Sequence, residues 1–303
     1  MTGSSGRQRV PTDSLQHLIV NLPPLPEQEA IANVLRSLDD KIELNRQMCK
    51  ALEDTAAAIF KSWFINFDPV RAKENGDEPK GLSSNIAALF PNSFSDSKIG
   101  DLPVGWDISV VYDWADYING AAYKNMHFSD EPDALPVIKI AELKNGIGPG
   151  TKFTNTDLGD KYLLETGDIL FSWSGSPETS IDTFLWVDGK GWLNQHIFKV
   201  VPKNKKSRAF CYFLLKYLKP TFIHIAKNKQ TTGLGHVTVK DLRELKVANP
   251  GEKLIEAFDE IAAPIFKRIQ EILEQNSALV KTRDTLLPKL ISGEVRVENI
   301  EEA

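Results

Sequence analysis

Apolar residues recur at spacings of three and four through two long stretches of the chain. The first runs through Ile31, Val34, Leu35, Leu38, Ile42, Leu52, Ile59 and Trp63; the second through Leu254, Phe258, Ile261, Ile265, Ile269, Leu273, Leu279, Leu286 and Leu290. A period near 3.6 places such residues on one face of a helix. Each stretch covers about 40 residues, or about 60 Å of helix at 1.5 Å per residue. That exceeds an ordinary globular helix, and no other segment is long enough to cover it. The two seams are therefore expected to pack on each other, antiparallel, through Leu35, Leu38, Ile42, Leu52 and Ile59 against Ile261, Ile265, Ile269, Leu279 and Leu286. Pro264 is expected to kink the second helix.

The two stretches belong to a repeat. Residues 6–64 align without gaps to 233–291 at an offset of 227, with twelve identities that include Gly6/Gly233, Val10/Val237, Pro23/Pro250, Glu29/Glu256, Ile42/Ile269 and Thr55/Thr282. Each copy opens with a β-like phrase (HLIVNLPP, ELKVANPG), meets a proline and continues as a long helix. In the second copy Asn249 suits a cap, Pro250 the first helical position and Glu252 the third position after the cap. Gly293 suits the C-terminal cap.

Between the copies, the period changes. Residues 68–98 are polar and rich in Pro, Gly and Ser, and read as a linker with one short apolar turn near Ile86–Phe90. From Ile99 to Pro250, short apolar runs (ISVV, PVIKI, GDILFSW, DTFLWV, HIFKVV) alternate with turn signals such as NGIGPG and VDGKG. One helix is expected over Ser207–Lys219. The fold class is α+β: one mixed, mostly β domain flanked by two long helices. The expected order is a remnant at 1–24, helix at 25–67, linker at 68–98, domain at 99–250, helix at 251–292 and tail at 293–303.

Charge modifies this picture locally. The net charge is −5, which does not suit a general nucleic-acid binder. Lys199–Lys246, however, holds twelve Lys/Arg against Asp241 and Glu244, a balance of +10 (12 − 2). Local density matters, because phosphate attraction is screened within about 10 Å. The catalytic patterns that a DNA-modifying enzyme needs are absent. NLPPL lacks the spacing and aromatic of an amino-methylating motif, GIGPG opens no helix, and no GxxxxGK[ST] exists. His196 and His224 lack metal-spaced partners, so no metal is expected. Cys49 and Cys211 form no CxxC pair, and the default reading is a reducing cytoplasm. No apolar run is long enough for a membrane span.

The phrases LPVGW (102–106), GDILFSWSGS (167–176), GWLNQHIFKV (191–200) and TTGLGHVTVKDLRELKVANP (231–250) resemble the target-recognition domain of type I restriction-modification specificity subunits. KIELNRQM with AAAIFKSWFINFDPV (41–70), and RDTLLPKLISGEVRVE (283–298), resemble the two helical spacers of that family. The resemblance covers essentially the whole chain. It implies a non-catalytic subunit that binds double-stranded DNA and docks methylation subunits and a motor-nuclease restriction subunit. No cofactor is expected on this chain; S-adenosylmethionine and ATP with Mg belong to those partners. The family order is domain, helix, domain, helix, and here the chain resembles that order without its first domain. That leads to the expectation of a two-fold dimer that restores two reading heads and an interrupted palindromic target. Two alternatives remain: a specificity module of an orphan or type IIG-like methyltransferase, and a non-DNA coiled-coil adaptor.

Side chains suited to reading DNA cluster in turns. Asn and Gln can pair bidentately with adenine, while Lys, His, Ser and Thr reach guanine or phosphate. The candidates are Lys144, Asn145, Ser172, Trp173, Ser174, Asn194, Gln195, His196, Lys227, Lys229, Gln230, Thr231, Thr232 and His236. With the basic segment they are expected to form one concave basic face.

Overall fold

The computed structural model describes residues 22–230 and 233–297. The first amphipathic stretch is helix α1 (Leu25–Phe64), whose first free N–H groups, from Glu27 and Gln28, find the Pro24 carbonyl. The segment read as a linker is instead packed. It contains α2 (Asp68–Glu74) and α3 (Ser84–Ala87), with Val70 and Phe90 buried. Phe90 meets Trp63 edge-to-face at 5.2 Å, and Lys73 Nζ donates to the carbonyls of Ala87 and Phe90. Its few large apolar residues are too sparse to leave a period in the sequence, yet two of them are enough to hold it down.

The domain follows as β1 (Phe94–Ser95), β2 (Leu102–Pro103), β3 (Asp107–Val110), β4 (Ala115–Asn119), β5 (Leu135–Ile138), α4 (Ile140–Asn145), β6 (Phe153–Thr154), β7 (Leu163–Leu164), β8 (Ile169–Ser172), β9 (Ser174–Gly175), α5 (Pro177–Ser180), β10 (Asp182–Leu185), β11 (Gly191–Leu193) and β12 (Ile197–Pro202). It closes with α6 (Arg208–Tyr217), α7 (Lys219–Asn228), β13 (Gly235–His236), α8 (Val239–Glu244), β14 (Lys246–Asn249) and the long α9 (Glu252–Ser292). All five apolar runs contain strands: β3, β5, β8, β10 and β12. The helix expected over Ser207–Lys219 is α6, and a second helix, α7, follows it. Leu218 ends α6, and Pro220 sits in the first turn of α7, where its missing N–H costs nothing. The cap expected at Asn249 is also displaced: Asn249 Oδ1 accepts from Gly251 N–H, and α9 starts after Gly251.

One antiparallel sheet has the order β10-β8-β12-β4; a second, mixed sheet has β6-β5-β11-β7, with β11 and β5 parallel. Ile138, Leu164 and Leu193 of the second pack with Leu170 and Ile197 of the first, joined by Trp186. β3, near the start of the domain, and β14, its last strand, pair antiparallel from Asp107↔Asn249 to Val110↔Lys246. The domain thus begins and ends at one place, so a helix that leads in and a helix that leads out can run beside each other.

The chain divides into two compact units. One is Asn45–Ser277. In it α1 and α9 are antiparallel: Cys49 packs with Ile269 and Ile272, Leu52 and Ile265 lie against that cluster, and farther along Phe60 meets Phe258. Asn45 is buried in this seam, its Nδ2 donating to Gln275 Oε1 (2.8 Å) and Asn276 Oδ1 (2.9 Å). Ile59 and Ile261 are half-buried against the main core. The other unit takes the described residues up to Leu44 and from Ala278 onward. There the helices are again antiparallel, with ion pairs Asp39–Arg283 (2.8 Å) and Glu27–Arg296 (2.6 Å), Ile42 buried, and Leu35, Leu38, Leu279 and Leu286 half-buried.

Within the larger unit, helix α6 anchors the sheet to both long helices. The buried Asp259 of α9 accepts the Phe210 N–H at 2.9 Å and also meets the N–H groups of Ala209 and Arg208, so it caps α6 from a different helix. Tyr212 of α6 donates its hydroxyl to Glu53 Oε1 of α1 (2.5 Å). Trp114, immediately before β4, lies 5.1 Å from Phe210, and its carbonyl receives the Lys203 N–H and the Cys211 thiol. Asp259→Ala should lower stability by about 2 kcal/mol, because it strands buried donors. Asp259→Asn should cost less, since its amide oxygen still accepts. Burial pushes the Asp259 carboxyl above its usual pKa despite those donors and Arg208. Stability therefore falls as pH rises from the ordinary carboxylate pKa through the raised one, and Asp259→Asn should lack that decline in urea melts across pH.

Candidate nucleic-acid interface

Strands β8, β12 and β4 lie side by side, so their ends converge. Ser172 pairs with Ile197, and Phe198 pairs with Asn119. This is the end of the sheet opposite to Trp114. Trp173, one residue beyond β8, stacks on Phe198 (5.6 Å, 30°) and lies 5.8 Å from the His196 ring. Its indole Nε1 donates to Asn119 Oδ1 at 2.9 Å. β9 and β13 set Ser174 opposite His236, while Val237 N–H donates to the Trp173 carbonyl at 2.8 Å. Gln195 is exposed, with Nε2 3.3 Å from His196 Nε2. The result is a half-exposed indole that meets Asn119 and His196, with Gln195 beside His196 and His236 across from Ser174 on the adjoining strand pair.

Several expected contacts lie elsewhere. Ser172 is fully buried in β8, and Asn194 is 8% exposed, its backbone bonded to Ile138 and Ile197. Neither side chain is open to solvent. Both stand where the chain leaves a strand, and the sequence alone does not show which side of the last residue is covered. Lys144 and Asn145 are exposed at the end of α4, where the following Gly146 lies beside Asp188 rather than beside Trp173. Gln230 is exposed; Thr231 and Thr232 lie outside the described residues.

The basic face is also corrected. Lys199 pairs with Asp168 (2.8 Å), Lys206 with Glu256 (3.3 Å), Lys216 and Lys219 with Asp182 (3.4 and 2.5 Å), Lys227 with Glu178 (2.6 Å) and Lys229 with Asp241 (2.5 Å). Most of these carboxylates come from outside 199–246, so a charge balance counted along the chain overstates the field. Burial works to raise the Asp241 pKa, but the Lys229 and Thr238 hydrogen bonds outweigh it and hold the carboxyl below its ordinary value. Lys229 is thus a structural partner of α8. Lys227 differs, since its partner Glu178 is on the surface, and such a pair exchanges at little cost. Among the described residues no group of His, Cys, Asp or Glu is arranged to hold a metal, and no helix is long and apolar enough to cross a membrane.

Asn119 was missed from the sequence. It stands 54 residues from Trp173, in an ordinary polar phrase, YINGA, and only the strand register joins the two.

Residues 1–54 and 103–281 match the type I restriction modification DNA specificity domain. The chain belongs to that family. Among relatives of the specificity domain, it is similar to the HindI specificity subunit of Haemophilus influenzae, with 25% identity over 93% of this chain and 70% of the relative. It is also similar to the MjaIX specificity subunit of Methanocaldococcus jannaschii, at 25% over 99% of this chain and 66% of the relative. The chain thus spans about two thirds of the length of these relatives. Among solved structures, the S subunit from M. genitalium shares the fold at a TM-score of 0.53 and 19% identity, over 88% of this chain and 61% of that one.

Proposed function

We propose that this specificity-domain chain reads one part of a duplex DNA target with the surface around Trp173 and supplies no chemistry of its own. The observation that carries the reading is the exposed Asn119, Gln195 and His196 beside a partly exposed indole at one end of the sheet. Such groups read base edges, whereas positioning on phosphate needs cations. Lys227, which reaches Glu178 of α5, can supply one. In this reading a methylation subunit, carrying S-adenosylmethionine, and a restriction subunit, using ATP and Mg, dock on the same chain and act where it binds. In the same reading the helix pair sets the distance over which it reaches.

Lys227→Ala should weaken binding to every duplex alike and reduce the slope of log affinity against log salt by about 1. Gln195→Ala should instead alter which sequence is preferred. Fluorescence anisotropy over a salt series, with a target and scrambled duplexes, separates the two. Binding indifferent to both salt and sequence would refute the reading and favour an adaptor.

A further inference from the structure

We infer that Asn119 is a specificity-determining residue, offering an amide N–H to an acceptor atom on one base, and that Trp173 aims it. The inference rests on the duplex-reading surface proposed above.

An indole nitrogen can only donate. The Asn119 atom 2.9 Å from Trp173 Nε1 is therefore the amide oxygen, and the NH2 faces the other way. Among the described residues no other side-chain hydrogen bond holds Asn119, and the residue is exposed. An asparagine free to rotate would read adenine with oxygen and nitrogen together. Here the oxygen is engaged by the protein, and the nitrogen is what remains on offer.

The surroundings fix that presentation. Asn119 is the last residue of β4 and pairs with Phe198. The next two N–H groups are also held, Gly120 on the Ile197 carbonyl (3.1 Å) and Ala121 on the Leu193 carbonyl (2.9 Å). Trp173 is held through its ring and both backbone groups: its ring by Phe198 and His196, its N–H by the His196 carbonyl (3.3 Å) and its carbonyl by Val237. Donor groups held this rigidly before binding discriminate better than mobile ones, because less freedom is lost.

The chemistry defines the partner. An NH2 group matches N7 and O6 of guanine, N7 of adenine or O4 of thymine, and it meets the N4 amino group of cytosine donor against donor. One position of the target should therefore disfavour cytosine on the strand edge that Asn119 faces.

The test is selection from a randomised duplex pool by the full chain in complex with its methylation subunit, comparing wild type with Asn119→Asp, Asn119→Ala and Trp173→Phe. Aspartate can still accept from Trp173 but offers only acceptors outward, so preference at one position should shift toward cytosine by about tenfold, within the range of a single mismatch. Alanine should make that position degenerate. Phenylalanine keeps the stack on Phe198 and loses the donor; the same position should blur while the salt slope stays unchanged. Thermal melts establish that each variant is folded, and the two Asn119 variants suffice if Trp173→Phe is not. A wild-type profile that both Asn119 variants reproduce at every position would overturn the role of Asn119 and leave the duplex-reading surface standing. A wild type that selects no sequence would overturn both.

Discussion

Phe258→Ala is expected to destabilise the Asn45–Ser277 unit by about 4 kcal/mol, the range for a fully buried phenylalanine. Phe258 has no exposed surface and stands where three helices meet. Its ring lies 5.7 Å from Phe60, 6.0 Å from Trp63 and 5.4 Å from Phe64 of α1, and 6.4 Å from Phe210 and 6.3 Å from Phe213 of α6. Five aromatic walls around one missing ring cannot collapse without moving a helix, so both the transfer loss and the cavity loss should be felt. Phe258→Leu keeps most of the volume and should lose clearly less. Urea unfolding followed by tryptophan fluorescence reports it directly, since Trp63 is a neighbour. A loss below about 1 kcal/mol for the alanine variant would mean that the aromatic knot is not the junction it appears in the packing.

Gly120→Ala is expected to cost about 3 kcal/mol, the upper part of what overpacking usually costs. A Cβ at Gly120 would fall inside the Asn194 carbonyl group and 2.5 Å from the Leu193 carbonyl oxygen. Those are backbone atoms, and they join β11 to the turn that begins β12, so relief requires parting the two sheets. Gly148→Ala is the control: nothing lies within 4 Å of its added Cβ, and its effect should stay within about 0.5 kcal/mol. Differential scanning calorimetry of the pair should separate them by about 10 °C, taking about 2–4 °C per kcal/mol for a domain of this size. Equal melting temperatures would show that the close approach at Gly120 can relax.

How much of this was legible beforehand depended on whether the controlling contacts were local. The two long helices were, because the seam from Ile31 to Leu290 repeats at helical spacing and its facing half is a second copy of the same pattern. The strands around Ile169, Phe184 and Val200 were too, since apolar runs bounded by glycine turns have few other uses. Helix α7 was not: Pro220 and the mixed phrase KPTFIHIAKN disguised a helix whose buried residues are only Phe222 and Ala226. The proposed recognition surface was legible in part. Trp173, Ser174, Gln195, His196 and His236 converge, but Ser172 and Asn194 turn inward, because a strand end can face either way until its neighbours are known. The basic balance failed for a related reason. Asp168, Asp182 and Glu178 are distant in sequence from nothing in particular, and only the folded sheet sets them against Lys199, Lys219 and Lys227.

The strand β4 has two ends with different duties. Before its first residue, Trp114 is gripped by Phe210, Lys203 and Cys211; its last residue is Asn119, open to solvent. Five residues of extended backbone, about 17 Å, separate them. Substitutions of the exposed Asn119 side chain therefore leave the gripped root untouched, unlike those at the crowded Gly120 beside it. On the proposed reading, a lineage carrying this frame could acquire a new DNA target by point changes confined to exposed side chains such as Asn119, with the fold kept throughout.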